Sequence, residues 1–132
     1  MKIKIIALIA VFTLFIVIIS IIISFFISEN IGHNTQLNNI TIFSVIVDND
    51  IFTISGVLHN SAMIFKGYDM VTLSNCLYIT IKSGIIGKSA PGTSGDEIFV
   101  KECMPDYIEK IFINDCKNKQ LLWSKLELTE SK

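Results

Sequence analysis

From Ile5 to Ile27 the chain runs 23 residues without a charge or a proline. No other feature restricts the fold as strongly. At about 1.5 Å per residue such a run makes a helix of about 35 Å, enough to cross a hydrocarbon core of roughly 30 Å with modest tilt. A cleaved export signal has a shorter apolar region, about 7–15 residues, with small residues at the cleavage site. Here cleavage after Ser28 would place Phe26 where a small residue is required, and no cysteine lies nearby for lipid attachment. Residues 1–28 are therefore predicted to be a short cytoplasmic n-region and an uncleaved transmembrane signal anchor.

Charge sets the expected orientation. Lys2 and Lys4 precede the run and Glu29 follows it, and basic flanks stay in the cytoplasm. All eleven basic residues are lysines, and Ile and Asn are abundant, a usage typical of AT-rich bacterial genes. The expected location is a bacterial inner membrane, single-pass, with the C-terminal domain in the periplasm. Ser20, Ser24 and Ser28 recur every fourth residue and share one helix face. Small residues at that spacing let two membrane helices approach closely, so this face is a candidate for homodimer or heteromeric helix pairing. Beyond the anchor, nine lysines stand against twelve acids. That balance provides no basic footprint and excludes nucleic acid as an expected partner.

Residues 29–39, Asn-rich and without helical period, read as a polar tether. From Ile40 the texture changes to β-branched and aromatic runs separated by turn formers. Strands are predicted at 40–47, 51–58, 62–66, 69–74, 76–82, 97–103, 109–113 and 120–124. Turns are expected at 48–50, 59–61, 66–68, 104–106 and 114–118. The predicted fold class is an N-terminal transmembrane helix plus a small all-β domain over 40–132. That domain would be an antiparallel β-sandwich or partly open barrel of about seven or eight strands.

One pairing suggests itself. With Lys82 opposite Glu97, Ile81 meets Ile98 and Ile79 meets Val100 on one face, while Tyr78 meets Lys101 and Cys76 meets Cys103 on the other. Directly opposed Cα atoms on antiparallel strands lie within disulfide range, about 4.5–5.5 Å. Cys76–Cys103 is the expected bridge in an oxidising compartment, with Cys103–Cys116 as the alternative. A metal site is not expected, because there is no C-x-x-C and His33 and His59 fall in different segments.

The stretch Ser83-Gly84-Ile85-Ile86-Gly87-Lys88-Ser89 resembles part of a phosphate-binding loop. The motif needs a glycine at position 82, which is Lys82, and a helix afterwards, where Ala90-Pro91-Gly92 intervenes. No nucleophile elbow, triad or carboxylate pair emerges from the spacing of Ser94, His59, Asp48 or Asp50. No catalytic residue, cofactor or metal is assigned, and the domain is expected to be non-enzymatic. The long connection 83–96 remains, since two to five residues would join its strands. Long loops on a rigid sheet carry binding, so Ile85, Ile86 and Lys88 are the candidate partner-binding residues.

The segment 107–125, with Ile108-Glu109-Lys110-Ile111 turning through polar residues into Leu121-Leu122-Trp123, resembles the C-terminal hairpin of small single-pass membrane-anchored proteins of enteric bacteria. That resemblance implies membrane anchorage and carries over no catalytic residue. The expected function is a membrane-anchored periplasmic binding protein, conferring immunity to a periplasm-acting toxin or excluding a phage. The alternative is an accessory subunit of a larger inner-membrane complex. The expected partners are the membrane and a protein: a toxin, a phage protein or the membrane complex.

Overall fold

The computed structural model describes residues 1–60 and 62–126. Ser61, in the expected 59–61 turn, and residues 127–132, at the end of the expected domain, lie outside the described residues. Helix α1 spans Lys2–Ile31, and none of its residues is buried by the rest of the protein. It is long and apolar enough to cross a membrane. Two hydroxyls in its apolar run are satisfied within the helix. Thr13 Oγ1 donates to the Ile9 carbonyl at 2.7 Å and Ser20 Oγ to the Ile16 carbonyl at 2.9 Å, as an apolar solvent demands.

Eight strands follow among the described residues. They are β1 (His33–Asn34), β2 (Ile40–Asp48), β3 (Ile51–Leu58), β4 (Ile64–Leu73), β5 (Cys76–Gly84), β6 (Glu97–Cys103), β7 (Lys110–Asn114) and β8 (Lys119–Ser124). A 3₁₀ turn at Leu37–Asn39 links β1 to β2. One sheet is antiparallel, in the order β2-β3-β6. The other is mixed and centred on β5. There β4 pairs antiparallel along one side, while β7, parallel, and β1, antiparallel, share the other. β8 extends the sheet beyond β7. The two sheets do not close into a barrel.

Alternation explains which side chains go inside. Phe52, Ile54 and Leu58 on β3, Ile98 and Val100 on β6, Leu77, Ile79 and Ile81 on β5, and Ile111 and Ile113 on β7 are buried at every second position. With Phe65, Met104 and Ile108 they form one core supplied by both sheets. Tyr68 Oη donates to Glu102 Oε1 at 2.6 Å and ties β4 to β6, where the sheets approach. Burial, the hydrogen bond and the Glu102 charge push the tyrosine pKa up to about 12, so it serves as a neutral donor.

Several expectations are corrected. The runs 62–66 and 69–74 are one strand, β4, and Gly67 sits at a bulge with φ of 126° rather than in a turn. The β5–β7 pair is parallel, so the domain is not wholly antiparallel. The register joining 76–82 to 97–103 is absent. A two-residue turn at Ser74-Asn75 commits one side of β5 to β4, and β7 and β1 take the other. β6 instead pairs with β3, matching Ile54 with Val100 and Gly56 with Ile98. Period-two patterns fit any strand with the same alternation, and the shortest loop closes at the lowest entropic cost.

The stretch read as a tether is built into the fold. Asn34 pairs with Lys82, and the Thr35 N–H donates to the Ile81 carbonyl at 2.8 Å. The buried Thr35 and Ser83 hydroxyls hydrogen-bond at 2.6 Å. Its polarity reflects strand-edge and turn chemistry, not solvation along its whole length. Thr35→Val should destabilise the domain by about 1–3 kcal/mol, because it leaves Ser83 buried without a partner. Adding Ser83→Ala should recover most of that loss. Denaturant titration followed by Trp123 fluorescence measures both; a neutral Thr35→Val would contradict the docked arrangement.

Candidate interaction surface

Strand alternation that buries Leu77, Ile79, Ile111 and Ile113 forces Tyr78 and Phe112 onto the outer face of the mixed sheet. Register then aligns four residues across four strands. Val71 lies opposite Tyr78, Tyr78 beside Phe112, and Phe112 opposite Leu121. Three inter-strand steps make this row about 14 Å long. Val71 is 55% exposed and Leu121 41%, with Leu73 at 62% close to one end. The Tyr78 and Phe112 rings stack at 5.3 Å with 11° between planes. Lys119 Nζ lies 5.2 Å from the Phe112 centroid and 6.0 Å from that of Tyr78. Thr80 Oγ1 donates to Asn114 Oδ1 at 2.9 Å in the adjoining row.

Charge on this face departs from that of the domain. Lys82, Lys110 and Lys119 occupy outward positions, against Asp69, which is 3.1 Å from Lys82. An acidic domain thus presents a basic border around an apolar row. The sequence reading missed these residues. The available signal was aromatic side chains at positions where alternation calls for polar ones, in Cys76-Leu77-Tyr78-Ile79 and Lys110-Ile111-Phe112-Ile113.

Two clefts lie at the ends of the strands. One, of about 280 Å³, is lined by Asn34, Gln36, Asn38 and the turn 115–118. Its Asp115 carboxylate accepts backbone N–H bonds from Leu37 at 2.9 Å and from Lys117 and Asn118 at 2.7 Å. Those bonds, in that order, hold its pKa below the usual carboxylate range. They also staple the β7–β8 turn to the 3₁₀ turn, a structural duty. The other cleft contains Asp50, Asp106 and Lys125 beside Met104, Ile108 and Trp123. Asp50 occupies the β2–β3 turn with φ of 64°.

The sequence-derived candidates are placed as follows. Ser20 and Ser24 border a shallow groove on α1 with Ile16, Val17 and Ile21; Ser28 lies one turn beyond, its carbonyl accepting the Gly32 N–H at 2.9 Å. Cys76, Cys103 and Cys116 are free. Cys76 and Cys103 belong to different sheets, Cys103 lying opposite Ile51, and Cys116 sits beside Asn34. The expected bridge loses its basis with the register that motivated it.

The loop is also relocated. It does not project from a pinned hairpin but folds against the end of α1. The Ile85 N–H donates to Glu29 Oε2 at 2.8 Å. Lys66 Nζ donates to the Ile86 carbonyl and, at 2.9 Å, to that of Lys88. Ile85 and Lys88 are exposed and Ile86 is half-buried.

No protein family matches the chain, and no curated protein or solved structure shows significant similarity to it.

The acidic cleft yields a pH dependence. The Asp50 carboxyl is held above its ordinary pKa by a hydrogen bond to Asp106, then by the Asp106 charge and by burial, with Lys125 opposing. The folded state therefore binds this proton more tightly than the unfolded state. That contribution is present at low pH and is lost as pH rises from about 4 through the raised value. Asp106→Asn should raise Tm at about pH 7, by removing the like charge that faces Asp50, and should raise it by less at about pH 3. A gain that is the same at both pH values would contradict the assignment.

Proposed function

We propose that the chain is a non-enzymatic, membrane-anchored binding protein whose β-sandwich domain meets a protein partner outside the bacterial inner membrane. The observation that carries this reading is the apolar row Val71–Tyr78–Phe112–Leu121. Cross-strand aromatic pairs contribute roughly 0.2–1 kcal/mol to a sheet, but Val71, Leu73 and Leu121 still leave about half of their apolar surface in solvent. Aromatic anchors inside a charged border are the usual composition of a binding hot spot. The basic border selects a partner with an apolar centre and acidic surroundings, and it disfavours face-to-face pairing of two copies through like charge. A periplasm-acting toxin or an incoming phage protein is the partner class in the immunity or exclusion reading.

The accessory-subunit reading is favoured by a separate feature, the groove flanked by Ser20 and Ser24 on α1. A subunit of a larger membrane complex would use that groove within the bilayer and the sheet face outside it.

A photo-crosslinking residue placed at Val71 or Leu121 in cells tests the face. The expected result is one adduct of defined mass, weakened by Lys119→Glu and absent when the probe replaces Phe43 or Ile46 on the other sheet. Equal labelling from both sheets, or insensitivity to Lys119→Glu, would overturn the proposed surface. An adduct in unchallenged cells supports the accessory role; one appearing only with a toxin or phage supports defence.

A further inference from the structure

We propose that the 85–88 part of the loop is a second membrane contact, in which Ile85 enters the headgroup layer beside the end of α1 and Lys88 meets lipid phosphates. This rests on reading α1 as a membrane anchor. The argument is one of depth. Glu29 and Ile31 lie two and four residues beyond Ile27, about 3 and 6 Å further along the helix axis. The headgroup layer extends roughly 5–7 Å beyond the hydrocarbon on each side. The last turn of α1 therefore ends inside that layer, and the loop is fixed to that turn.

One hydrogen bond and two close approaches place it there. Glu29 Oε2 receives the Ile85 N–H at 2.8 Å. Gly84 faces the Glu29 carbonyl oxygen so closely that a Cβ would collide with it. Asn30 Oδ1 lies against Gly87 in the same way. At this height Ile31 is 65% exposed and Ile85 49%, and Lys88 is exposed. Lys66 takes up the loop carbonyls of Ile86 and Lys88, so two backbone acceptors already have a donor from the protein. An apolar residue with a lysine close by is the usual pattern of an interfacial contact. The occupant is lipid because the helix that sets the height of the loop also sets the position of the bilayer.

Depth-dependent fluorescence quenching tests this on the full chain. The background is Trp123→Phe, in vesicles of phosphatidylethanolamine and phosphatidylglycerol carrying nitroxide lipids labelled near the glycerol or at mid-chain. Ile85→Trp should lose fluorescence to the shallow label more than to the deep one. Ile16→Trp should show the opposite order, and Val71→Trp should be quenched by neither. Quenching of Ile16→Trp without quenching of Ile85→Trp would overturn the loop contact while leaving the anchor intact. Quenching of neither would overturn the anchor itself. Equal shallow quenching at Val71 and Ile85 would also refute the proposal, because the domain would then lie on its side rather than stand on this loop.

Discussion

The hydrogen bond from the Ile85 N–H to the Glu29 carboxylate, with Gly84 seated closely on the Glu29 carbonyl, fixes the end of β5 against α1. The helix ends at Gly32, whose φ of 92° turns the chain immediately into β1. A residue with a side chain would be strained there and would also meet the Lys66 stem. Within three residues the chain is paired with β5 at Ser83 and Lys82. Gly84 lets the Glu29 carbonyl approach, and Ile85 donates to its carboxylate. His33 Nδ1 lies 3.7 Å from the other carboxylate oxygen and reinforces it when protonated. No free linker intervenes, so the domain follows the helix as one unit.

β5 is the common support of everything else. Its C-terminal end receives the helix, one face supplies Leu77, Ile79 and Ile81 to the core, and the other carries Tyr78. The side that accepts β1 near the helix accepts β7 further along, which is how a parallel strand enters the sheet. The hydrogen bond between Tyr68 and Glu102 then joins this sheet to the antiparallel one. A load on the row of the outer face would therefore pass directly to the strand that bears α1.

Most strands were legible because alternation and turn chemistry act locally. The runs at 51–58 and 97–103 coincide with β3 and β6, and the two-residue turn at Asn49-Asp50 follows from residues that tolerate positive φ. Pairing was not legible. Ile79 and Ile81 suit Ile98 and Val100 as well as their true neighbours do, so register arguments had no unique answer. The segment 29–39 reads as a tether because its polar groups act in specific roles: Thr35 bonds Ser83, Asn34 reaches Cys116, and the backbone N–H of Leu37 donates to Asp115. Composition marks the loop residues Ile85, Ile86 and Lys88, but their location follows from the pairing of β5 with β4 and β1, which the sequence does not specify. The apolar row stayed hidden because it exists only once four strands are placed side by side.

The rigid seat of the domain on its helix is the claim on which the rest depends. Hydrogen exchange on the full chain in lipid vesicles tests it most directly. The account predicts that the amides of Gly32, Thr35 and Ile85 are protected to a degree comparable with those of Ile79 and Ile81 in β5. Each of the three donates to a fixed acceptor: Ser28 O, Ile81 O and Glu29 Oε2. Exchange of these three at the rate of an unstructured peptide, with β5 still protected, would show a domain swinging on a tether and would contradict the account.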